Sequence, residues 1–224
     1  MSHGPLSYVG PLVLALSAGP LRAQLANVPV YANPSASGIA VGGDVSVGLN
    51  DESGKDLAFA ARANLGFGKF LFGAGVGLVD FGTTEPTFMG SVGYRVAKVG
   101  FVNVAVQAGA GFTRNSSLGD VLRTADIPVS AGIGLSLPLV VATVEPWVAP
   151  RFTIQRLSAD GASTWRNHVG LSAGLDVKLL VGLGAHLAVD WQALPAIAAG
   201  DLGGTITDLK RQPLLLSGGV HFGF

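Results

Sequence analysis

Few side chains in this sequence could do chemistry, and those few are regularly placed. Asp44, Arg62, Arg95, Glu145, Arg151, Asp176, Lys178 and Asp190, with His186 and His221, all fall on the more polar face of stretches that alternate in character. Charges of both signs on one face could line a permeation path or a binding site. Equally, a polar interior must pair its charges to hold them at all. Counting outward from the first loop sets Asp44 across from Arg62, a cross-strand pair. The same counting puts Asp176 near His186, and Glu145 close to the level of Asp176 and Lys178. For nucleophilic catalysis, Asp190 and His168 with Ser163 and Asp160 supply the residue types but repeat no known motif. The four histidines show no close metal-ligand spacing. Gly182–Gly184 lacks the following Lys-Ser/Thr of a phosphate loop. With no cysteine present, thiol catalysis and Cys-type zinc sites are excluded. The expectation is a protein that is not an enzyme and uses no cofactor.

Composition narrows the setting. Fourteen basic residues balance fourteen acidic ones, so no net field draws the chain to nucleic acid. Charged residues are only 12% of the chain, about half the share usual in soluble domains. Mean hydropathy is +0.49. Glycine supplies 33 of 224 residues, about twice the ordinary share, where a soluble apolar core would show Leu/Ile-rich helical stripes. The composition points to a membrane without pointing to helices.

The elements that must position the charged residues have a period of two. Ile39, Val41, Val45, Val47 and Leu49 share one face while Gly42, Asp44, Ser46 and Gly48 share the other, the mark of a strand with two different environments. The same alternation predicts strands at 57–67, 70–78, 87–96, 101–112, 127–137, 140–155, 167–178, 184–191 and 212–224. Each is near the 9–11 residues that a tilted membrane strand needs. Short gaps (Gly68-Lys69, 97–100, the Pro138 turn, 179–183) alternate with longer polar ones (51–56, 80–86, 113–126, 156–166, 192–211), as the two ends of a barrel require. Aromatics fall in two groups, Phe67, Phe70, Phe72, Tyr94, Phe222 and Phe224 near the short gaps and Phe59, Phe88, Phe112, Phe152 and Trp191 near the long ones. Two such girdles flank the lipid band of a membrane barrel. The uncharged run 127–144 could suggest a helix, but Pro128, Pro138 and the persisting alternation make it two strands and a turn. Pro146 and Pro150 inside a strand predict a bulge.

The fold expected is all-β: a transmembrane antiparallel up-and-down barrel of about ten strands, over residues 38–224. Residues 1–23 read as a signal peptide, with an apolar core at Val9–Leu16 and cleavage between Ala23 and Gln24. Residues 24–37 are expected to form an N-terminal periplasmic segment. The last strand alternates Leu214, Leu216, Gly218, Val220, Phe222 and Phe224 against Leu215, Ser217, Gly219, His221 and Gly223. It resembles the C-terminal insertion signal of bacterial outer-membrane proteins, carried by Val220, Phe222 and Phe224. From Gly38 onward the chain resembles the small outer-membrane β-barrel superfamily, although no particular family is matched. That resemblance implies a bacterial outer membrane as location and outer-membrane lipid as surroundings. It further implies periplasmic chaperones and the barrel-assembly machinery as partners.

Function then turns on the lumen. Most inward positions are small, among them Gly42, Gly66, Gly73, Gly75, Gly93, Gly134, Gly170 and Gly174. An eight-stranded barrel is just filled by its own side chains. Ten strands lined by glycine leave room for water and a small solute, or else draw in around a closed lumen. The first alternative makes a narrow pore for ions or small solutes. The second makes a structural or surface-interaction barrel.

Overall fold

The computed structural model describes residues 33–50, 57–80, 84–116, 121–159, 162–195 and 212–223. The stretch read as a signal peptide, its expected cleavage site and Phe224 lie outside the described residues. The strands are β1 (Gly38–Gly48), β2 (Leu57–Phe67), β3 (Phe70–Asp80), β4 (Thr84–Val99), β5 (Val102–Asn115), β6 (Leu122–Leu135), the two-residue β7 (Leu137–Pro138), β8 (Ala142–Ala159), β9 (Ala162–Leu179), β10 (Leu183–Ala193) and β11 (Leu214–Gly223). Apart from β6 and β7, each pairs antiparallel with its sequence neighbour, β1 pairs with β11, and β6 pairs with β8. The ten long strands therefore close into a barrel, with β7 continuing the β6 edge along β8.

The alternation decides which way each side chain faces. Val41, Val45, Val76, Val92, Val106, Val129, Leu171 and Leu187 are exposed on the outside, while the intervening residues are buried or half-buried. The sheet thus puts apolar groups where lipid would lie and satisfies its backbone by closing on itself, as a bilayer demands. Phe67, Phe70, Phe72, Tyr94 and Phe222 are exposed at the short-turn end. Phe59, Phe88, Phe112 and Phe152 are exposed toward the other, with Trp191 half-buried among them. Phe70 meets Tyr94 edge-on at 5.4 Å. The tight turns at that end rest on Gly68 and Gly100, with φ of 59° and 57°, left-handed backbone in which a Cβ is costly.

Two expectations about the elements are corrected. Residues 113–126 and 156–166, read as long loops, are mostly strand: Arg114 stands opposite Arg123 and Leu157 opposite Thr164. Beyond the lipid band both faces meet polar surroundings, so hydropathy stops alternating while the ladder continues. The bulge expected at Pro146 and Pro150 is absent. The β8–β9 register runs unshifted from Ala142↔Leu179 to Ala159↔Ala162, and pairing with β6 resumes in the same register after Ile133↔Val148 and Ser130↔Arg151. Successive N–H groups point to alternate sides of a strand, so prolines four residues apart lose donors on one side only. The register shift occurs instead between Arg95 and Ala97 on β4.

Candidate functional site

The inward charges stack in tiers along the lumen. Nearest the short turns, Glu145 receives Lys178 Nζ at 2.7 Å and a hydrogen bond from Ser136 Oγ at 3.1 Å. This tier also holds a piece of the chain itself. Asn33 donates to Glu145 Oε2 at 2.7 Å and to Asp176 Oδ2 at 3.2 Å. Asn103 donates to Ser35 Oγ at 3.1 Å, and Arg95 donates to the carbonyls of Pro34 at 3.3 Å and Ala36 at 2.6 Å. Asn33, Pro34 and Ser35 are buried. The segment expected in the periplasm thus sends Asn33–Ala36 across the barrel mouth as a strap. Its bend comes from Asn33, whose Oδ1 accepts from Ser35 N at 2.9 Å and whose carbonyl accepts from Ala36 N at 3.0 Å.

The next tier is Asp44, Arg62 and His186. The register places Asp44 opposite Ala60 and Arg62 opposite Gly42, two residues from the facing pair that counting suggested. Arg62 is long enough to cross that diagonal, and its Nε lies 2.7 Å from Asp44 Oδ2. His186 Nε2 lies 3.0 Å from Asp44 Oδ1. His186 does face Asp176, and Asp176 faces Glu145. His221 Nδ1 is 3.7 Å from Asp176 Oδ1.

Toward the long-loop end, Arg151 holds both carboxylate oxygens of Asp190 with its two terminal nitrogens, the bidentate arrangement that makes such pairs strong. Ser172 Oγ donates to Asp190 at 2.6 Å and accepts from Arg151 at 3.0 Å. Above them Gln155 donates to Asp126 at 2.7 Å and accepts from Arg166. His168 is buried, while Ser163 is exposed on the opposite face of β9, so these two are not brought together. Asp160 lies outside the described residues.

Glycine makes room for the large side chains of the lumen. Trp147 stands between Gly134 and Gly174 in the register, and a Cβ on Gly174 would come within 2.6 Å of the indole. Arg151 lies over Gly170, Met89 over Gly75, and His186 over Gly219. Each of these large inward side chains leans across the glycine of a neighbouring strand. The glycines are the footprints of these side chains, and Gln155, Gln192, Thr87 and Val79 are almost completely inaccessible. Among the described residues, a cavity of about 350 Å³ lies at the short-turn end, bordered by Arg62, Asn64, Asp176, Lys178, His221 and the strap.

Sequence reasoning missed the strap, Asn103, Trp147 and the Asp126–Gln155–Arg166 group. The alternation Glu145, Trp147, Ala149, Arg151 already turns Trp147 inward. The strap has no such period and left no trace.

No protein-family model matches the chain, and no curated protein sequence matches it. Among solved structures, it is similar to the outer-membrane protease OmpT of Escherichia coli, at 7% identity and TM-score 0.43, over 84% of this chain and 94% of that one. It is similar to Ail, the attachment invasion locus protein of Yersinia pestis, at 12% identity and TM-score 0.29, over 84% and 100%. CdiB from Acinetobacter baumannii matches at 8% identity and TM-score 0.39 over 81% of this chain, which spans only 34% of CdiB. Identities this low concern architecture alone. The barrel's own construction, ten long antiparallel strands closed without an edge, apolar outside and polar within, is the architecture of an outer-membrane β-barrel.

Proposed function

We propose that this outer-membrane barrel does not conduct and acts through its surface as a structural or interaction protein. What supports this reading is the crowding of the lumen: paired charges and side chains seated on glycines project into it at successive levels. The long-loop edge gives the reading a working face. Arg114, Arg123 and Arg156 are exposed on the outward side of neighbouring strands β5, β6 and β8. The Arg156 guanidinium lies 5.6 Å from the centroid of the exposed Trp165 ring. Cations and an indole at this height suit anionic headgroups or polysaccharide at the membrane surface.

The test is electrical. Purified full-length protein inserted many times into a planar bilayer should give no ohmic steps. Steady single-channel currents from the wild type would overturn the proposal and return the barrel to a narrow pore.

A further inference from the structure

We infer that Asp176, His186 and His221 form a site for one divalent transition-metal ion, of the zinc class, inside the short-turn mouth of the barrel. Spacing along the chain gives no hint of it, because the three residues sit on three strands. Register assembles them. His186 on β10 faces Asp176 on β9, and His221 on β11 stands opposite Gly184, two residues along β10 from His186. One ligand atom from each lies within 4.8 Å of the other two. Four-coordinate zinc, with bonds of about 2.0–2.1 Å to nitrogen and oxygen, brings its ligands to about 3.3 Å apart. Side-chain rotation alone covers that difference. Imidazole and carboxylate are the donor types such an ion takes.

Three further features support the assignment. The imidazoles have room made for them: a Cβ on Gly184 would collide with the His221 ring, and one on Gly219 would come within 2.6 Å of His186. Second, His221 turns Nδ1 toward Asp176 Oδ1 at 3.7 Å, while its Nε2 is buried against Gly184 with no hydrogen-bond partner. Third, Asp44 lies 3.0 Å from His186 Nε2, which leaves Nδ1 to the ion and repeats the carboxylate–histidine–metal arrangement that orients such ligands. Access exists too, because Asp176 and His221 border the mouth cavity. The cavity leaves the fourth coordination position to water or a small anion. Charge allows a divalent ion: Asp44, Asp176 and Glu145 against Arg62 and Lys178 leave one net negative charge. Arg62 Nη2, 3.1 Å from His186 Nδ1 and 2.8 Å from its Nε2, is the cation that an arriving ion displaces from the ring.

The experiment uses the full chain, without a histidine tag, folded in detergent and stripped with chelator. It is titrated with Zn²⁺ by calorimetry and with Co²⁺ by visible absorption, which reports coordination. One saturable ion per chain is expected. His221→Gln and Asp176→Asn should each weaken binding at least about tenfold, and Asp44→Asn about 10- to 100-fold as the orienting carboxylate. His168→Gln, on the buried histidine of the far tier, should change nothing. A wild type with no saturable site, or equal loss with His168→Gln, would overturn the inference. If the ligand variants do not fold, the wild type decides. Bound Zn²⁺ should shield His186 and His221 from diethyl pyrocarbonate, and unchanged labelling of His221 would count against the site.

Discussion

At the residue scale, the lumen charges described above share one rule: each has a partner from the protein itself. Arg151 and Asp190 carry it furthest, because both are buried and bidentate. Removing one partner of a buried pair leaves an uncompensated charge, at a cost of about 3–5 kcal/mol, whereas removing both in favour of apolar groups is close to neutral. Arg151→Leu should therefore destabilise the barrel strongly in reversible urea unfolding from lipid vesicles, and Arg151→Leu with Asp190→Leu should recover most of the loss. A single variant that unfolds within 1 kcal/mol of wild type, a spread typical of exposed pairs, would show that water reaches this tier. The sequence made these residues legible as inward because charge on an alternating strand can face only one way. It could not give the diagonal of Asp44 and Arg62. A shift of two residues preserves every face, so hydropathy does not distinguish the two registers.

At the element scale, the same argument explains which strands were readable. β1, β2 and β3 are 11 residues each, the length that crosses a bilayer at a tilt, and their bounds follow from alternation. β8 and β9 run on past it, where period two fades although pairing persists. Between these two strands lies the clearest size match, Trp147 over Gly174. A branched side chain at Gly174 would press into the indole, and overpacking of this kind costs about 1–3 kcal/mol. Gly174→Val should lower stability by that amount, and it should cost less in a Trp147→Ala background, where the indole is gone. If the two substitutions cost the sum of their separate effects, the packing described between them is wrong.

For the whole molecule, closure is what a bilayer rewards. Unboiled barrel should migrate apart from boiled barrel on a gel, and its circular dichroism should be β-type. The exposed rim of the short-turn end extends to the turns themselves, through Val99, Phe101, Val140, Leu180 and Val181. That apolar rim continues into the last strand at Val220 and Phe222. Phe222→Ser with Phe224→Ser should therefore reduce the amount of folded protein in outer-membrane fractions severalfold. Undiminished levels would mean that these aromatics contribute little to insertion. The fold was legible because lipid imposes a binary code on every strand. The strap was not, since its hydrogen bonds to Glu145 and Asp176 come from a stretch that no bilayer patterns.

The seating of bulky side chains on glycines also bears on how such a sequence can change over generations. A lone enlargement at Gly75, Gly170 or Gly174 meets a neighbour already in place. A lone reduction at Met89, Arg151 or Trp147 opens a hollow in the wall. Either step is costly alone, but the two together exchange which strand carries the bulk and leave the interior full. Descendants of this chain should then vary at these positions in correlated pairs, large trading places with small across the ladder. The outward valines and leucines, which face only fluid hydrocarbon, are free to drift one at a time. An alignment of related barrels would carry that contrast as covariation within the lumen and independence outside it.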